Sequence, residues 1–94
     1  MTRVLFVGPH AAAAAALCAR TGRTATFAGP TAPDAVVEAL EEAGVPPAPR
    51  AEQDATADLV VDTNAWNLPE PVGLCLEEAR ELREVIDARV SELL

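Results

Sequence analysis

Aromatic side chains are nearly absent: two Phe, one Trp and no Tyr make up 3% of the chain. A core built without them must come from Val, Leu, Ile and Ala. Such small side chains fill space only when backbones approach closely, which predicts tight helix-to-sheet packing. Basic residues are scarce too. Seven Lys and Arg stand against 15 Asp and Glu, for a formal net charge of −8. No basic stripe offsets that field, so nucleic acid and anionic membrane surfaces are disfavoured as partners. An acidic surface is ordinarily no more than a solubility device. Cysteine is limited to Cys18 and Cys75, with no CxxC spacing and too few for a disulfide framework. No apolar run is long enough to span a bilayer, and Met1-Thr2-Arg3 leads straight into a strand pattern rather than a signal-peptide layout. The expected setting is the cytoplasm, with reduced thiols.

What is present is a chain of 94 residues, 50% of them hydrophobic, which suits one domain over residues 1–94. A domain of this size buries a modest fraction of its surface, which favours self-association into a homodimer. Val4-Leu5-Phe6-Val7, ending at Gly8-Pro9, has the continuous apolar run of a strand buried on both faces. Ala11 to Arg20 are nearly all helix formers, with Gly22 as a stop. Thr24 to Ala28 is a second, weaker strand closed by Gly29-Pro30. Thr31 fits an N-cap, with Pro33 in the first turn, and Val36, Val37, Leu40 and Ala43 form the apolar side of the next helix. Val45 to Ala57 is Pro-rich and polar and reads as a loop. Leu59-Val60-Val61 is a third buried strand, followed by a loop over Thr63 to Gly73. Ala79, Leu82, Ile86, Val90 and Leu93 recur at steps of three and four on a last helix. Its outer face offers the i,i+4 pairs Arg80–Glu84 and Arg83–Asp87.

The order β-α-β-α-β-α predicts an α/β fold: a three-layer α/β/α sandwich on a small parallel sheet of three to four strands, with right-handed crossovers. Ligands of such sheets sit at the carboxyl edge of the strands, here Gly8 to Ala12, Gly29 to Thr31 and Thr63 to Gly73.

Several short segments, in order, resemble the low-molecular-weight protein tyrosine phosphatase and arsenate reductase superfamily. Val4-Leu5-Phe6-Val7 is similar to the strand that leads into that family's catalytic loop. Phe27-Ala28-Gly29-Pro30-Thr31 is similar to its second strand and SAGT segment, and Pro33 to Gly44 to the helix that often ends in EAG. Ala57 to Val61 resembles an ADLVV strand, Trp66 to Pro71 the W-x-x-PDP loop of the arsenate reductases, and Arg83 to Leu93 the final helix. The stretch between Val61 and Trp66 is shorter than in typical members, so a fourth strand is expected to be missing or reduced.

The resemblance implies a low-molecular-weight phosphatase-like fold and also implies that its chemistry is lost. Gly8 stands at the position of the nucleophilic cysteine, Ala14 at the arginine, Ala15 at the serine and Ala11 at the loop asparagine. The family reaction needs a thiolate in a cradle of backbone N–H groups and an arginine fork, with an acid on a second loop. Glu70, in place of that loop's aspartate, cannot supply this alone. Cys18 falls inside the first helix and Cys75 at or before the last, both expected to be buried as small apolar residues. No catalytic residue, metal or cofactor is therefore expected.

The preferred expectation is a catalytically inactive protein that binds a protein partner, a second copy or a small anionic ligand at the old rim. The rim residues are Gly8, Pro9, His10, Ala11, Ala12, Trp66 and Glu70. Gly8 permits close backbone approach and the helix start carries partial positive charge, although Pro9 removes one N–H. The plainer readings stand beside it: His10 as an inert exposed loop residue, Trp66 as an apolar body over the sheet edge, Glu70 as a solvated carboxylate. An alternative is an enzyme of altered chemistry acting on a phosphorylated or other anionic small molecule through His10 or Glu70. A dinucleotide-binding module is a third, weakened because Gly8 lacks the other glycines of GxGxxG and no acidic residue closes the second strand.

Overall fold

A computed structural model of the protein describes residues 3–51 and 57–93. It is an α/β structure with three parallel strands and three helices. In chain order these are β1 (Arg3–Val7), α1 (Ala11–Ala19), β2 (Thr24–Ala28), α2 (Asp34–Glu42), β3 (Leu59–Asp62), a 3-10 turn (Thr63–Trp66) and α3 (Leu76–Leu93). The strand order is β2-β1-β3, so β1 is central. Phe6 lies level with Phe27 on one side and with Val61 on the other. Met1, Thr2 and residues 52–56 of the expected loop lie outside the described residues. Within that loop Arg50 makes a single parallel bridge to Phe27, and the Ala51 N–H donates to the Phe27 carbonyl at 2.8 Å. This one-residue bridge at the free edge of β2 is the only trace of a fourth strand among the described residues.

Alternation along the strands selects one sheet face for the core. Val4, Phe6, Ala25, Phe27 and Val61 are buried, and α1, α2 and α3 join the same apolar cluster. On the other face Leu5, Val7, Thr26 and Ala28 are only half-buried, and Val60 is 58% exposed. Among the described residues α1 packs on the core face of the sheet, and α2 and α3 pack against α1 and each other. The expectation of strands buried on both faces needs correcting for β1 and β3: in β1 only Val4 and Phe6 are buried, and in β3 only Val61, with Val60 on the open face of the sheet. No helix among the described residues is long and apolar enough to cross a membrane.

Seven of the nine residues of α1 are buried: Ala11, Ala13 to Ala16, Leu17 and Cys18. A helix whose side chains are almost all small, Leu17 excepted, can lie close to the sheet on one side and to α2 and α3 on the others. Helix α3 places Ala79, Leu82, Ile86 and Val90 in the core, while Leu93 is 41% exposed near its end. In α2 the buried set is Val36, Ala39 and Leu40; Val37 and Ala43 are exposed, contrary to expectation. Thr31 is not the cap of this helix either. Pro33 occupies the N-cap position with extended ψ of 158°, and no side chain bonds to the helix start.

The arginines of α3 do not form the expected pairs along their own helix. Arg80 forms a two-pronged bond to Glu42 of α2, and Arg83 donates to the Ala39 carbonyl. Asp87 takes Arg20 from the end of α1. Each cross-helix partner is offered by tertiary packing, and a fork matched to a carboxylate holds better than a flexible neighbour four residues away. These exposed pairs orient α3 more than they stabilise it.

Enlarging a buried alanine is the sharpest test of this packing. Ala15→Leu is expected to lower unfolding free energy by about 1–3 kcal/mol, and Ile86→Ala by about 2–5 kcal/mol, both measured by urea denaturation.

Candidate functional site

The carboxyl ends of the three strands meet at two glycines and a threonine. Gly8, at φ +98°, turns the chain from β1 toward α1. A Cβ on Gly8 would stand 2.5 Å from Thr63 Oγ1. Gly29, at φ +134°, ends β2, and a Cβ there would meet the Gly8 carbonyl at 3.1 Å. Both positions therefore combine a backbone region that disfavours side chains with too little room for one.

Thr63 ties this corner together. It is fully buried; its hydroxyl donates to the Val7 carbonyl at 2.7 Å and accepts the His10 N–H at 3.2 Å. One side chain at the end of β3 thus anchors both the end of β1 and the cap of α1. The sequence marks the rim segment Thr63 to Gly73 without marking Thr63 within it. The available signal was a small hydroxyl residue directly after an apolar strand.

His10 needs correcting. Expected as an exposed loop residue, it is 3% exposed, and neither ring nitrogen reaches a hydrogen-bond partner. The ring lies near the Leu68 and Pro69 backbone and in the field of Glu70. Those neighbours favour the imidazolium, but they do not outweigh burial, which holds the His10 pKa below its ordinary value. A geometry without bonds and a lowered pKa agree on a neutral imidazole.

The remaining rim residues separate. Trp66 is half-buried and packs its ring against Phe6 at 6.4 Å between centroids, tilted by 59°. It covers the sheet end as an apolar body. Glu70 is exposed. Pro9 and Ala12 are half-buried, and Ala11 is fully buried. Ala14 has no exposed surface, so its side chain belongs to the core rather than to the rim.

The cysteines divide. Cys18 is buried, and burial raises its thiol pKa. Cys75 is exposed, a correction to its expected burial. It precedes α3, its carbonyl accepts the Ala79 N–H, and its own N–H donates to the Glu78 carboxylate at 3.2 Å. The Glu78 carboxylate thus satisfies one backbone donor at the start of the helix. Among the described residues no three His, Cys, Asp or Glu side chains are grouped to hold a metal.

Next to the rim lies a cavity of about 280 Å³ between α1, α2, β2 and the segment after α2. Ala12, Ala16, Phe27, Val37, Leu40 and Val45 form its apolar walls. Ala12 and Ala16 are one helical turn apart and face the same way, so their missing bulk is what leaves the space. Only Ala12 of the expected site residues reaches it. The other walls carry no motif, and their convergence depends on how α2 packs.

Compared with known protein families, curated proteins and solved structures, the chain matches none of them.

The buried imidazole makes stability depend on pH. The unfolded chain binds a proton at His10 near pH 6.5 and the folded protein does so only at lower pH, so its contribution is complete above about 6.5 and fades below it. Thermal midpoints measured from pH 7.5 down to 5.5 are expected to fall, and His10→Leu is expected to flatten that slope.

Proposed function

We propose that this chain is a catalytically inactive relative of the low-molecular-weight protein tyrosine phosphatases and arsenate reductases, and that it works by binding. The occupant is a protein partner, a second copy of the chain or a small ligand. The place is the outer surface of the rim where β1 and β2 end, on which Pro9, Ala12, Trp66 and Glu70 keep exposed surface while His10 and Ala11 are buried. A cytoplasmic setting suits its two free thiols.

One observation carries the reading. The space that a nucleophile at residue 8 would need is filled by the Thr63 hydroxyl, and the position of the anion-binding arginine is buried as Ala14. Covalent phosphoryl or arsenate chemistry needs a thiolate and a cationic clamp facing one oxyanion. Here the first position is closed by packing and the second points into the core. The parallel β1-α1-β2 unit and the short order-preserving segments support the family part of the proposal. The enzymatic alternative is weaker. His10 is covered by the Leu68–Pro69 segment, and Glu70 stands alone in solvent without a second catalytic group.

Purified protein is expected to show no turnover of an aryl phosphate, nor of arsenate with added thiol. The double substitution Gly8→Cys and Ala14→Arg is expected to restore no activity and to lower the unfolding midpoint. It forces a side chain onto Thr63 and buries a guanidinium. Turnover in the native protein that disappears in Cys18→Ser or Cys75→Ser would overturn the proposal.

A further inference from the structure

A groove of about 210 Å³ lies between α3 and the loop that follows the 3-10 turn. Leu68, Pro69, Leu74, Leu82 and Val85 give it apolar walls, and Glu78 and Glu81 are its only charged lining residues. It follows α3 from Glu78 to Val85, seven residues or about 10 Å of helix. Val85 is 41% exposed, and Val72, on the loop between Pro69 and Leu74, is 73% exposed. Apolar surface therefore stands open to solvent both in the groove and on the loop that forms its wall.

Charge on this flank of α3 is of one sign. No basic residue lines the groove. All three arginines of α3 are engaged elsewhere: Arg80 on Glu42, Arg83 on the Ala39 carbonyl and Arg89 on Glu92. Glu78 accepts the Cys75 N–H with one carboxylate oxygen, and Glu81 is exposed. What remains is an apolar strip edged by carboxylates.

We infer that this groove docks a basic amphipathic segment of a partner protein. Its aliphatic side chains lie against Leu68, Leu74 and Val85, and its Lys or Arg groups face Glu78 and Glu81. The inference rests on the proposal that the protein acts by binding, and it names the chemistry of the partner at the loop Trp66 to Glu70. Size argues against an enclosed small ligand, because pockets for drug-sized molecules span about 300–1,000 Å³ and surround most of their occupant. An open groove of about 210 Å³ instead receives side chains presented by a larger body. Charge argues against a second copy, which brings the same net charge of −8 and the same acidic groove. A basic segment is steered toward that field and meets complementary groups at the edge of the apolar strip. The strip itself supplies what charge alone does not, a place for aliphatic anchors to leave water.

The test titrates the full chain with three short capped peptides of equal length: Leu with Lys, Ser with Lys, and Leu with Glu. Binding is read by amide chemical shifts in NMR. The Leu/Lys peptide is expected to saturate, with shifts centred on Leu68, Leu74, Leu82 and Val85, and to weaken as salt is raised. The Ser/Lys and Leu/Glu peptides are each expected to bind at least about fivefold more weakly, for want of apolar burial and of charge pairing respectively. Glu81→Lys and Val85→Ser change exposed residues and leave the core intact. Each is expected to weaken the Leu/Lys peptide about fivefold. Glu41→Lys makes the same charge change on α2, outside the groove, and is expected to cost less than twofold. The inference is overturned if the Leu/Lys peptide does not saturate, if its shifts centre elsewhere, or if either control peptide matches it. Equal effects of Glu81→Lys and Glu41→Lys, or indifference to Val85→Ser, overturn it too. Sedimentation of the chain alone supplies the last arm: a dimer that Val85→Ser dissociates would make a second copy the occupant and sink the idea. The two proposals fail separately. Thiol-dependent turnover in a protein that binds the Leu/Lys peptide ends only the inactive reading, and a turnover-free protein that ignores the peptide ends only this one.

Discussion

Helix α1 touches the sheet, α2 and α3 at once, and it can do so because most of its side chains end at a methyl group. Six consecutive alanines let three neighbours approach a single helix axis closely. Dispersion contacts fall off steeply with separation, so close approach replaces the contact area that aromatic rings would otherwise supply. The scarcity of Phe, Tyr and Trp and the burial of α1 are thus two sides of one constraint. The same constraint makes the cavity. Where Ala12 and Ala16 face α2 across Phe27, their methyl groups do not span the gap.

The rim obeys a related logic with polar groups. Gly8 and Gly29 bring the ends of adjacent strands within contact, and the buried Thr63 satisfies backbone groups from both β1 and the start of α1. An unsatisfied carbonyl or N–H there would be costly away from water. This corner is built for closure. It leaves no room for a side chain at residue 8, and the loop that follows the 3-10 turn lies over His10. Groups that invite a catalytic reading in sequence are, in three dimensions, structural or sealed, while the open space lies one helical turn further along.

Much of the fold was legible in the chain. All three strands and all three helices stand where apolar runs, alanines and glycine stops placed them, within a residue or two. Errors fell on environment rather than on element type. A run such as Leu59-Val60-Val61 has the same composition at the centre of a sheet as at its edge, so the exposure of β3 could not be read from it. His10 follows a Gly-Pro turn, a context that signals surface, yet it is 3% exposed and lies near the backbone of residues 68 and 69. Cys75 looks like a small core residue until its backbone is seen to cap α3 through Glu78. The arginines of α3 found partners on other helices, which local spacing cannot anticipate.

The chain by itself determined the order of elements, the alanine helix, the glycine turns and the acidic surface, because each depends on local backbone preference or on a sum over residues. The tertiary structure alone decided which face of the sheet is covered, which rim residues are sealed and where Arg50 meets Phe27. Those outcomes depend on segments far apart in sequence arriving at one place. Residue 8 and residue 63 carry no mark of each other in the sequence, yet their contact decides whether a side chain can stand at the end of β1.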